Sequence, residues 1–207
     1  MYLQGLFPLN LVLFPNSVIQ LHIFEERYKL LINQCVENDT LFGINLILSS
    51  KIFEIGTSTK VIEITKVYDD KRMDIIVKGF SRYLLRNYST SQNGYLTGEY
   101  EEFPDRKEFV IPTLLDKCFE LFSKIIEKSG LSHFEFTDFN QHTQNLSFVF
   151  AQKIGLNMIQ KYKLLSFDSE NDRLMFIIEH LNKILPVLEP DELTKKLIKN
   201  DGYIKLF

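Results

Sequence analysis

The side chains best suited to metal binding, nucleophilic attack or proton transfer are four histidines, His22, His133, His142 and His180, and two cysteines, Cys35 and Cys118. Zinc draws closely spaced ligand pairs, and these six residues form none, so no metal is expected. Both cysteines fall on apolar runs of helical period, where a free thiol behaves as a small hydrophobe. His22, between Leu21 and Ile23, reads as a half-buried, hydrogen-bonded residue rather than a catalytic base. The segment GTSTK (56–60) carries the glycine and lysine of a phosphate loop but lacks its spacing and runs into a strand instead of a helix. No G-x-S-x-G elbow occurs. Glu25 with Glu26, and Glu101 with Glu102, are adjacent carboxylates that point to different faces; the first pair suits the opening turn of a helix. No catalytic residue and no cofactor are expected.

A second cluster offers recognition rather than chemistry. Lys71, Arg72, Lys78, Arg82 and Arg86 gather with Tyr83 and Tyr88, and basic and aromatic residues on strands are what an RNA-binding sheet uses. Asp69, Asp70 and Asp74 sit among them, however, and Glu99, Glu101 and Glu102 follow, so balanced cross-strand pairing is the better reading. The net charge of −3 also opposes the basic field that a phosphate backbone requires. Two cysteines in 207 residues fit a reduced compartment better than a disulfide scaffold. The opening apolar runs are broken by Pro8, Asn10, Pro15 and Asn16, far short of the ~20 residues of a spanning helix, and no leader pattern precedes them. A soluble cytoplasmic protein without a membrane partner is expected, its core rich in the 18 phenylalanines.

The elements that must position these groups change character near Pro104. Before it, strands are expected over 41–48, 57–68, 73–77, 80–88 and 95–103. Asp69, Asp70 and Lys71 form a hairpin loop, Lys78 and Gly79 a bulge or bend, and Asn93 with Gly94 a tight turn. Within 57–68, strict alternation would set Val61, Glu63, Thr65 and Val67 on one side and Ile62, Ile64 and Lys66 on the other. One amphipathic helix interrupts this set over 25–37, with Phe24, Tyr28, Leu31, Ile32 and Cys35 as its stripe. After Pro104 the period becomes helical. Ile111, Leu114, Leu115, Cys118, Leu121, Phe122, Ile125 and Ile126 form one stripe, ended by Gly130. A second helix is expected over 148–159, weakened by Gly155. A third, capped by Ser169 or Asn171, carries Leu174, Ile177, Ile178, Leu181 and Leu185 up to Pro186, and a last one spans 191–199. The expected organisation is a β subdomain over 1–105 and an α-helical subdomain over 106–207.

Several stretches together resemble a known family. LFPLNLVLFP (6–15) followed by LHIFEERYKLLI (21–32) resembles the start of the N-terminal substrate-binding domain of the ATP-dependent Lon proteases. FGINLI (42–47), EIGTSTKV (54–61), MDIIVKGFSRYLL (73–85) and GYLTGEYEEF (94–103) continue the likeness, and YKLLSFDSENDRLMFIIEHL (162–181) extends it more loosely. The resemblance implies an α+β fold, a PUA-like β pseudo-barrel followed by an α-helical bundle, and a role in recognising unfolded or tagged polypeptides. No Walker motif and no proteolytic Ser–Lys segment is found, so no catalytic residue of the family carries over, and a stand-alone, non-catalytic recognition protein is expected. Asn16 stands where the family often has glycine, and asparagine also tolerates the left-handed region. Glu26 and Gln20 replace common prolines.

The expected partners are unfolded or partly unfolded polypeptides, with a separate ATPase or protease acting in trans. An adaptor that docks one folded partner and an RNA-binding PUA-like module are the rival classes. Peptide contact is expected at the barrel–helix junction, through Leu13, Phe14 and Pro15 and, at the following helix, Phe24, Arg27 and Tyr28. Core packing competes with this role for Phe24 and Tyr28, and an ion pair or carbonyl cap competes for Arg27.

Overall fold

The computed structural model describes residues 2–128 and 145–186. The chain divides into two compact units, Met1–Pro104 and a second that begins at Asp105. In the first, strands β1 (Tyr2–Leu6), β2 (Val18–Ile23), β3 (Phe42–Leu48), β4 (Lys51–Val67), β5 (Met73–Thr90) and β6 (Leu96–Glu102) accompany one helix, α1 (Glu26–Glu37). The strand order β2-β5-β4-β3-β1-β6 is completed by a β5–β6 pairing. Five strands therefore close into a ring, the expected pseudo-barrel, and β2 hangs on one end of β5. Closure satisfies backbone groups that an open sheet would leave bare.

The β4–β5 ribbon outgrows the barrel. β3 pairs with β4 only as far as Thr59, and β6 pairs with β5 only from Tyr83 onward. Residues 60–67 and 73–78, together with β2, therefore form a three-stranded flap. The ribbon bends where the register shifts between Thr57↔Arg82 and Thr59↔Gly79. Gly79 is needed there, because a β-carbon would meet the Phe14 carbonyl oxygen at 2.5 Å. In its absence the opening turn seats closely, with Asn16 N–H donating to Gly79 O (2.9 Å) and Gly79 N–H to Ser17 O (3.0 Å). Asn16 takes φ 64°, the left-handed turn that glycine would otherwise provide.

The α1 stripe packs inward as its period requires: Tyr28, Leu31, Ile32 and Cys35 are buried. Each such apolar side chain stabilises the fold by about 1.5–3 kcal/mol. Phe7 stacks on Tyr28 at 4.0 Å and meets Phe42 at 6.5 Å. Phe24 departs from the stripe and is 61% exposed. It precedes the helix, and the adjoining Glu25 is still extended (φ −74°, ψ 134°), so helical period does not reach it. Inside the barrel, Leu6, Tyr83 and Leu85 form an apolar cluster. Three polar side chains there are paired with one another or with backbone. Tyr83 donates to Asn45 Oδ1, Asn45 donates to Phe53 O (3.0 Å), and Thr57 donates to Leu13 O (2.6 Å).

The second unit holds α2 (Pro112–Lys128), α3 (Leu146–Lys153), α4 (Met158–Ser166) and α5 (Glu170–Ile184). Cys118, Leu121, Phe122, Ile125 and Ile126 are the buried stripe of α2, whereas Ile111, before the helix begins, is half exposed. The single helix expected over 148–159 is two. Gly155 takes φ 69°, which ends α3, and Asn157 opens α4 with a capping box to Gln160. Ser169 caps α5 by accepting from Asp172 N–H at 3.0 Å. Asn171 serves elsewhere, accepting from Ile111 N–H (2.8 Å) and donating to Phe109 O (2.9 Å). Arg173, wholly buried, donates to both Asp105 oxygens, to Glu170 (2.8 Å) and to Ser147 (2.8 Å). Such a charge is tolerated inside only because its partners are complete. The helix ends expected at Gly130 and over 191–199 lie outside the described residues.

Candidate polypeptide-binding surface

The six residues nominated for peptide contact separate sharply. Leu13 and Phe14 are 1% and 0% exposed, and Pro15 and Tyr28 are also buried. These four serve the core, because their apolar surface gains more from the barrel than from water. Only Phe24 and Arg27 reach solvent. Arg27 is paired with Glu25 at 2.7 Å and lies 4.6 Å from the Tyr28 ring centroid.

The groups with chemical potential are held in structural roles. His22 Nδ1 lies 2.6 Å from Asp74 Oδ1 across β2–β5, and the Tyr68 hydroxyl donates to Asp74 Oδ2 at 2.8 Å. Those two hydrogen bonds hold the Asp74 carboxyl below its usual range. His180 is buried with Nε2 2.9 Å from Ile154 O; His133 and His142 lie outside the described residues. Burial pushes both thiols up, Cys118 to about 12 with the Glu170 charge adding to the shift, so neither is a thiolate at neutral pH. Among the described residues, no three His, Cys, Asp or Glu side chains gather to hold a metal ion. The GTSTK segment is embedded in β4, with Thr57, Ser58 and Thr59 buried. In the basic cluster, Arg72 pairs with Asp70 (2.6 Å) and Arg86 with Glu101 (2.7 Å), Arg82 lies 4.8 Å from the Phe103 ring, and Tyr83 points into the core.

Exposed apolar residues gather instead on the flap. Register shifts between Val61 and Glu63 and between Ile64 and Lys66 insert two bulges into β4. Strict alternation therefore fails. Val61, Ile64 and Val67 pair with Val77, Ile75 and Met73, and Glu63 and Lys66 pair with Ile76 and Asp74. Paired residues share a face, so the bulges put three apolar residues on the face that β5 buries. On β5 that face is covered, with Ile75 and Val77 fully buried; at the β4 edge it is bare, with Ile64 and Val67 38% and 64% exposed. Ile62 and Val36, both half-exposed, line the same groove as Val61 and Ile64.

Beyond Thr59 no described strand pairs with the outer side of β4, so that backbone is an open edge. A groove of about 200 Å³ runs beside it, lined by Cys35, Val36 and Thr40 on one bank and residues 60–64 on the other. Lys29 donates to Asp70 O at 3.3 Å and ties α1 to the ribbon, and an Asp39–Lys60 ion pair at 2.7 Å bridges the groove end. The signal for this surface was present in the sequence: apolar residues at 61, 62, 64 and 67 leave no wholly polar face for any single strand geometry.

The family model for the ATP-dependent protease La (LON) substrate-binding domain matches residues 5–183. The chain belongs to the LON substrate-binding domain family. It is 21% identical to a Lon protease of Buchnera aphidicola subsp. Acyrthosiphon pisum, over 92% of this chain and 26% of that protein. It spans about a quarter of the length of the curated relatives it matches. The LON fold is shared with a Lon N-terminal domain protein from Xanthomonas campestris (TM-score 0.70, 23% identity, 86% of this chain and 98% of that one). It is shared equally with the N-terminal domain of Mycobacterium avium complex Lon protease (TM-score 0.68, 16% identity, 87% and 98%). Among the described residues of this LON domain, no helix is long and apolar enough to cross a membrane.

Proposed function

We propose that this LON domain binds unfolded or partly unfolded polypeptide without chemistry of its own. The observation that supports the reading most directly is the bare apolar margin of the flap, where Ile62, Ile64 and Val67 stand exposed beside Val36 on a strand edge with no described partner. Contiguous exposed apolar surface on a folded domain is a mark of an interaction site, and an extended client offers the apolar side chains that folded proteins hide. The exposed Phe24 and Arg27 at the start of α1 form a second contact point in this reading.

The test is anisotropy of a labelled model protein, once folded and once reduced and carboxymethylated, titrated with the full chain. Binding of the unfolded form only, little changed by salt, is expected, and an Ile62→Asp/Ile64→Asp variant should lose it. Equal binding of the folded form, or no binding of either, would overturn the reading. Affinity for RNA that falls steeply with salt would instead indicate a phosphate-backbone binder.

A further inference from the structure

We draw no further inference here: the strongest candidate, the apolar margin of β4 over residues 60–67 beside the groove it forms with α1, carries nothing beyond the proposed function, because nothing in the structure shows what covers it.

Discussion

Residues 51–59 and 60–67 belong to one strand, yet they obey different constraints. The first part has β3 on one side and β5 on the other, and its Thr57, Ser58 and Thr59 are nearly inaccessible. Among the described strands the second part has β5 alone, and it shows Ile62, Ile64 and Val67 to solvent. The change falls at Thr59, where β3 ends. Barrel closure supplies the stability, and the prolongation of two strands beyond it supplies a surface that the barrel does not need for folding. An exposed strand margin can thus be carried on a closed ring with little effect on the ring itself.

That contrast can be broken by mutation, beginning with the ring. Phe42→Ala removes a wholly buried ring and should lower stability by about 3–5 kcal/mol, read from the urea midpoint at unchanged slope. A loss no greater than that of a flap residue would end the distinction. Next in size is Gly79→Ala, at the point where ribbon leaves barrel. Its β-carbon would sit 2.5 Å from Phe14 O, a backbone atom that cannot rotate away, and a destabilisation of about 1–3 kcal/mol is expected.

The flap should show itself in acid before the ring does. Asp74 has its folded pKa held below the ordinary 3.8 by His22 and Tyr68. Its contribution is therefore complete above the unfolded value and is lost as pH falls through the lower, folded value. The Asp74 carboxyl carbon shift, followed by NMR, should titrate below 3.8. The amides of β2 should loosen in the same window, and Asp74→Asn should remove that dependence. Titration at or above the ordinary value would show that the cross-strand tie is absent in solution. The smallest effects belong to the surface: Phe24→Ala and Ile62→Ala should each change stability by less than about 0.5 kcal/mol. A larger loss in the same urea experiment would mean that the margin is structural.

Much of the fold was legible before any coordinates. The bulge at Lys78 and Gly79, the turn at Asn93 and Gly94, the α1 stripe and the Ser169 cap all follow from local preferences that act over a few residues. Phe24 and the helix expected over 148–159 failed for a shared reason. Both extended a helical period past a point where the backbone leaves the helix, at Glu25 in the first case and at Gly155 in the second. The candidate site was less legible. The Phe-Pro motif drew attention to Leu13, Phe14 and Pro15, which the ring buries, and away from an ordinary-looking run of valines and isoleucines.

The sequence by itself determined the family, the kind of each element and the residues able to pack, because side-chain period, turn preference and motif order are written within short stretches of chain. Only the tertiary structure decided that Val61, Ile64 and Val67 share a face, that Glu63 stands without an ion pair among the described residues, and that residues 60–67 meet no described strand but β5. The bulges that set the first depend on how β4 registers against β5, and the edge depends on where β3 stops. Both are relations between distant segments, and no local pattern records where a neighbouring strand will end.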